Sequence, residues 1–281
     1  MPVTAVLFPG QGSQTPEMRD LVATHAPDLL ERVRTAVGAD PFERVEEGTA
    51  YAQPAIFCAS LAGWRSLPAS ERAAATLFAG HSLGELGALV AAGRLTEQDG
   101  LELVALRGVL MQEAGERAGE GGMVAVLGAD AAAQAPALAA AHGLAVANDN
   151  SPQQVVLSGA RSALPDAAAA ARGRGLRAMI LPVTGAFHSP MMASAVPAFT
   201  AALARVEIRE GRGRVISAVT AAPFDDVRRR LAEALTAPVR WREVMVALTD
   251  HGADRFLEVG PGRVLTGLAK RTVTEVELAG V

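Results

Sequence analysis

The sequence predicts an α/β fold, a parallel sheet covered by helices on both faces and interrupted by an inserted βαββαβ unit. Three observations predict it. Short apolar runs alternate with helical patterns through the first part of the chain, which is how a parallel sheet reads. The middle then changes to strand, helix, strand, strand, helix, strand, the ferredoxin-like order. After residue 188 the alternation of strand and helix resumes.

Element by element, residues 3–8 are an apolar run ending in Pro9-Gly10-Gln11-Gly12-Ser13-Gln14, a buried strand followed by a tight loop. Helical patterns follow at 27–37 and 53–67. Residues 73–79 read as a short buried strand and 85–92 as a helix. Thr96 is an N-cap, with Glu97 and Asp99 in the first turn of a longer helix that ends at Arg117. In the insertion, strands at 123–127, 145–147, 154–158 and 176–181 alternate with helices at 131–141 and 164–172. Beyond it, 214–219 and 255–259 are strand-like, while 224–235 and 241–251 are helical. The alanine-rich stretches are helix-prone, and no internal repeat or linker interrupts the pattern.

The 281 residues suffice for one large domain, or for one that carries a smaller insert. Half are hydrophobic and a fifth charged, as in a globular protein with a filled core. A net charge of −4, with no basic run interleaved with aromatics, speaks against a nucleic-acid binder. Cys58 is alone, so neither a disulfide framework nor a cysteine zinc site is expected, and its apolar neighbours make it inert core. No basic leader and no long uncharged apolar run stand in the sequence, so a soluble cytoplasmic protein that does not engage membranes is expected.

Chemistry concentrates at Gly80-His81-Ser82-Leu83-Gly84, a G-x-S-x-G motif between an apolar strand and a helix. A serine on so sharp a turn stands clear of the sheet, and the flanking glycines let the backbone bend without Cβ clashes. The bland alternative is a βα turn whose serine merely caps the helix. The loop at Gly10-Gln11-Gly12 lacks the third glycine of a dinucleotide site, Thr15 standing in its place. It is either a structural turn or the source of a second oxyanion-hole N–H, from Gln11, beside that of Leu83.

Five histidines compete as the base for Ser82. His81 is next to the serine, and His25 and His142 lie at helix ends, where histidine is common for ordinary reasons. His188 sits in a break after a strand, where catalytic groups gather in α/β proteins; His251 ends a helix. Arg107 has Leu103, Val104, Leu110 and Met111 at its helical neighbour positions and no carboxylate to pair with. A buried guanidinium needs an anion, either a distant Asp or Glu or a bound carboxylate.

Together these stretches resemble the malonyl-CoA:acyl carrier protein transacylases, including the discrete acyltransferases that serve polyketide synthases. Phe8 to Gln14 resembles the family's FPGQGSQ, Ala52 to Trp64 its QPAI…W segment, and Gly80 to Glu85 its GHSLGE. Arg107 to Gln112 is similar to its arginine helix, Asn148 to Gly159 to its N-x-NSP stretch, Ala186 to Met192 to its AFHS segment, and Glu258 to Gly267 to its closing EVGPG. The segment between Val37 and Gln53 is shorter than in the family. The resemblance implies a hydrolase-like α/β domain, 1–121 with 189–281, carrying a ferredoxin-like subdomain at 122–188.

It further implies an acyl-carrier-protein S-malonyltransferase with Ser82 as nucleophile and His188 as general base and acid. Gln11 and Leu83 would supply the oxyanion hole, and Arg107 would hold the malonyl carboxylate with Met111 and Phe187 as further substrate contacts. A main-chain carbonyl that orients the histidine aligns with Ala234, where many members carry glutamine. No metal or cofactor is implied; malonyl-CoA is a substrate and an acyl carrier protein the partner. The competing expectation is a serine esterase or thioesterase that uses the same elbow, with His251 and Asp225 or Asp226 completing it.

Overall fold

In the computed structural model, which describes residues 3–280, the chain opens with β1 (Thr4–Phe8). Both faces of this strand are covered, so Ala5, Val6, Leu7 and Phe8 are all buried. Helices α1 (Met18–His25) and α2 (Asp28–Val37) follow. The helix expected over 53–67 is α3 (Thr49–Ser66). It starts a turn earlier, because Pro54, a residue suited to the first helical turn, stands in the second. The run at 73–79 divides between α4 (Ala69–Ala74) and β2 (Leu77–Gly80). Alanine is the strongest helix former, so Ala73 and Ala74 side with the helix. Then come α5 (Gly84–Ala91) and α6 (Glu97–Arg117), with Thr96 accepting from the Asp99 N–H at 3.0 Å as its cap.

The insertion contains β3 (Gly121–Leu127), α7 (Ala131–Ala141), β4 (Ala145–Ser151), β5 (Gln154–Ala160), α8 (Leu164–Gly173) and β6 (Arg177–Ile180). β4 runs on to Ser151, past the expected end at 147. Its polar tail Asn148-Asp149-Asn150 hides it from a hydrophobic-pattern reading, and it shifts register twice against β5. A 3₁₀ turn at Pro190–Ala195 leads into α9 (Val196–Leu203) and β7 (Arg214–Ile216), which stops short of the expected 219. The chain closes with α10 (Val227–Glu233), α11 (Trp241–Asp250), β8 (Arg255–Glu258), α12 (Val264–Ala269) and β9 (Glu277–Gly280). α10 is shorter than 224–235 because Asp226 caps it, accepting from the Arg229 N–H at 3.0 Å. α1, α12 and β9 have no counterpart in the sequence reading.

The central sheet is parallel throughout, in the order β7-β2-β1-β8-β9. The second sheet is antiparallel in the order β4-β5-β3-β6, the ferredoxin-like arrangement. Period-two alternation divides the core of the large sheet. Val6, Phe8 and Phe78 face one layer with Ile56, Phe57, Leu86 and Val104. Ala5, Leu7, Ala79 and Phe256 face the other, against Trp241, Val244 and Leu248 of α11. β3 is shared in the same way: Val124 and Val126 pack under α7 and α8, while Met123 and Ala125 join the large core.

One segment stitches the two sheets together. The Val239 N–H donates to Ala147 O at 2.8 Å, and the Asp149 N–H donates back to Val239 O at 2.9 Å. Arg242, just beyond, grips the Asp149 carboxylate through Nε at 3.0 Å and Nη2 at 2.7 Å. Such a two-pronged pair fixes orientation as well as distance.

Candidate active site

β1 and β2 end side by side, Phe8 opposite Gly80, so the loops that follow them share one edge of the sheet. The His81 N–H donates to Phe8 O at 2.9 Å, and Ser82 then takes φ +55°. A non-glycine residue there is strained, a state that persists only where the surroundings enforce it. Glycine is required on both sides: a Cβ on Gly80 would lie 1.9 Å from the Gly84 carbonyl carbon, and one on Gly84 would lie 2.1 Å from Phe8 O. α5 begins directly after the serine, with Leu83 as its N-cap residue. Among the described residues, the N–H groups of Leu83 and Gln11 donate to no backbone acceptor. Both are free to donate.

His188 reaches this edge from the other direction, out of the segment that follows β6. Its Nε2 lies 2.8 Å from Ser82 Oγ, and its Nδ1 lies 2.8 Å from Ala234 O and 3.2 Å from Ala237 O. Carbonyls only accept, so Nδ1 carries the hydrogen and Nε2 presents a lone pair to the serine hydroxyl. His188 also has φ +56°. Its turn is pinned by Ser189, whose hydroxyl donates to Ala186 O at 2.6 Å. Burial, and after it the charges of Arg107 and His81, push the His188 imidazole down to about 3. It is therefore neutral in the free protein at neutral pH, with Nε2 unprotonated and able to accept the serine proton.

Arg107 projects from α6 and is only 4% exposed. Its Nη2 donates to Ser82 Oγ at 3.0 Å and its Nη1 to Gln53 Oε1 at 2.7 Å. Among the described residues no carboxylate pairs with it. Glu85 is its nearest electrostatic counterpart, yet one Glu85 oxygen is taken by the Ala218 N–H at 2.7 Å. Burial pushes Glu85 up to about 7 and Arg107 down to about 10. Of the two partners the sequence leaves open, no internal carboxylate forms a salt bridge with Arg107 among the described residues, and Glu85 acts on it only at longer range. Met111 and Phe187 are both buried. Met111 lies near Arg107, its Sδ 3.5 Å from Gln53 Nε2.

The rival arrangement is not assembled. His251 Nδ1 faces Arg214 Nη1 at 3.4 Å, and Asp225 binds Arg229 and Arg230, each at 2.8 Å. Among the described residues no group of three or more His, Cys, Asp or Glu could hold a metal ion, and no helix is long and apolar enough to cross a membrane. Several site residues escaped the sequence reading: Ala237 as a second acceptor, Gln53, Thr49, and Asn150, whose Oδ1 lies 2.8 Å from His81 Nε2. Gln53 had a signal, as a polar side chain inside an apolar helical run.

The chain matches the acyl transferase domain family over residues 6–280. It is 37% identical over 286 residues to the malonyl CoA-acyl carrier protein transacylase of Salmonella typhimurium, spanning 96% of this chain and 92% of that one. It is also 37% identical over 284 residues to the polyketide biosynthesis protein ThaF of Burkholderia thailandensis, covering 96% of this chain but only 24% of that longer protein. Among solved structures, the MCAT of Mycobacterium tuberculosis superposes with a TM-score of 0.90 at 31% identity, over 99% of this chain and 96% of that one. A malonyl-transacylase solved in complex with a type II PKS acyl-carrier protein gives 0.87 at 35% identity, over 99% and 96%.

Proposed function

Because this chain belongs to the acyl transferase domain family, we propose that it is an acyl-carrier-protein S-malonyltransferase. It moves a malonyl group from coenzyme A to the phosphopantetheine thiol of an acyl carrier protein of fatty acid or polyketide assembly. The observation that carries this reading is Arg107, a buried cation in contact with the nucleophile and without a salt-bridged carboxylate among the described residues. An ester with no charge near the reacting carbonyl gives such a group nothing to bind. Malonyl places a carboxylate one methylene from that carbonyl.

The geometry leads to a ping-pong transfer. The Ser82 Oγ attacks the thioester carbon as its proton passes to His188 Nε2. The oxyanion rests on the N–H groups of Leu83 and Gln11, and the Ala234 and Ala237 carbonyls stabilise the imidazolium through Nδ1. Collapse breaks the C–S bond, and coenzyme A departs as a thiol with the proton from Nε2. The carrier's thiol then attacks the malonyl-serine by the reverse steps. Every proton moves between Ser82, His188 and a substrate thiol, so no cofactor enters the scheme. The lobe 1–121 with 189–281 supplies Ser82, the oxyanion hole and Arg107, and the lobe 122–188 supplies His188 and Phe187. The cytoplasm is the working place that suits a coenzyme A donor.

Mixing the protein with malonyl-CoA and measuring intact mass tests this reading. A malonyl adduct is expected on the wild type, absent from Ser82→Ala and discharged by a carrier protein. A wild type that gains no adduct would overturn it.

A further inference from the structure

A chain of hydrogen bonds leads away from Arg107, and its polarity is forced as far as Thr49. A guanidinium only donates, so the 2.7 Å bond from Arg107 Nη1 fixes Gln53 with Oε1 as the acceptor. The Gln53 Nε2 must then face Thr49, where it donates to Oγ1 at 2.7 Å. The Thr49 hydroxyl, with that lone pair used, donates its own hydrogen to Gln11 Oε1 at 2.9 Å. Arg107, Gln53 and Thr49 are 4%, 1% and 4% exposed, so water does not compete for the first two bonds, while the third reaches Gln11 at the surface. Gln11 itself lies in an exposed loop, and its side chain is held from within by Thr49.

The start of α3 is seated as firmly. A Cβ on Gly108 of α6 would lie 2.8 Å from Thr49 O, so the two helices touch backbone to backbone one residue past Arg107. The Ala50 N–H donates to Gln112 Oε1 at 3.3 Å, one turn further along α6. Thr49 is thus fixed to the helix that carries the guanidinium, and its hydroxyl points to the loop that carries the oxyanion-hole N–H.

We propose that Thr49 is a positioning residue: through the relay Arg107–Gln53–Thr49–Gln11 it holds the Gln11 loop in register with the guanidinium that binds the substrate carboxylate. This rests on the malonyl-transfer reading. It means that the group recognising the far end of the acyl unit and the group stabilising the oxyanion are set by one hydrogen-bonded unit.

The test is a double-mutant cycle on the acylation half-reaction, with malonyl-CoA as the probe and the malonyl-enzyme followed by mass. Thr49→Val keeps the shape and removes the hydroxyl; it is expected to lower the acylation rate constant on the order of ten-fold, with KM for malonyl-CoA little changed. Thr49→Ser is expected to restore it. Gln11→Ala keeps the backbone N–H but removes the acceptor, so adding Thr49→Val to it should cost clearly less than Thr49→Val costs the wild type, only the Gln53 bond remaining to be lost. Additive losses, or a serine variant as slow as valine, would mean that Thr49 only packs and would overturn the proposal. A wild type that never acquires malonyl on Ser82 would overturn the underlying reading instead, and that outcome is seen before any variant is compared.

Discussion

The site places ionisable side chains where water barely reaches them. Arg107 keeps its charge in a buried place, and the cation lacks an ion-pair partner among the described residues. Removing one partner of a buried pair costs about 3–5 kcal/mol. Arg107→Ala is therefore expected to lower kcat/KM for malonyl-CoA by on the order of a hundred- to a few thousandfold. Transfer from acetyl-CoA, which leaves the guanidinium unpaired already, should stay level or rise. Parallel losses on both thioesters would make Arg107 a structural residue.

A second expectation concerns pH. The His188 imidazole lies at about 3 when folded, against about 6.5 unfolded. Between those values the unfolded chain binds the extra proton, so this residue's contribution to stability is whole above pH 6.5 and is lost as pH falls towards 3. Glu85, raised to about 7, acts in the opposite sense: the folded chain holds its proton, and stability falls as pH rises from about 4.5 to 7. The wild-type profile contains both slopes. His188→Gln should remove the first, so that moving from pH 6.5 to pH 5 costs the variant about 2 kcal/mol less than the wild type. Denaturant titrations at the two pH values measure this, and identical pH responses would contradict it.

At the scale of elements, the elbow depends on a glycine with no room for any side chain. Gly84→Ala must push a Cβ into the carbonyl that ends β1, and overpacking of this kind costs typically about 1–3 kcal/mol, occasionally more. A lowered melting temperature and a reduced rate of Ser82 acylation are expected together. An alanine variant as stable as the wild type would show that β1 and α5 can separate without loss. This was legible in the sequence, because a strand, a G-x-S-x-G turn and a helix are contiguous. So was α6, with its cap at Thr96 and acids in its first turn. What escaped was set by distant contacts. β4 is polar where it pairs with Val239, and β9 is fixed as a strand by its pairing with β8. Thr49 looks unremarkable in sequence because its partner Gln11 lies far from it along the chain, and Gln53, though polar in an apolar run, has its partner Arg107 likewise distant. Arg107 was legible for the converse reason: the absence of a carboxylate among its helical neighbours is a local fact.

Across the whole molecule, Ser82 follows β2 of the parallel sheet while His188 follows β6 of the antiparallel one, and the two meet at 2.8 Å. Their meeting depends on the stitch at Val239 and Asp149 and on the Asn150–His81 contact. The outer edge of the small sheet is a candidate landing site for the carrier. On and beside β6, Arg174 and Arg177 are exposed next to Met179 and Ile180, which are 56% and 41% exposed. Lys270 and Arg271 form a second exposed basic pair. Carrier proteins of this type are typically acidic, so KM for the carrier should rise with ionic strength while acylation by malonyl-CoA barely responds. Equal salt sensitivity in the two half-reactions would discard electrostatic docking.

Arg107 also bears on how long the molecule survives. Arg107 is a buried cation without a salt-bridged anion among the described residues, and malonylation would supply a carboxylate covalently. The loaded form should therefore melt at a higher temperature and resist protease longer than the empty one, since the malonyl carboxylate can pair with buried Arg107 only in the folded state. Ser82→Ala mixed with malonyl-CoA should show a smaller gain, because its occupant can leave. Comparing melting curves of the three species checks this, and a loaded enzyme no more heat-resistant than the empty one would contradict it. In a cell, donor supply would then set the lifetime of the catalyst as well as its turnover: starved of malonyl-CoA, the protein would be cleared faster.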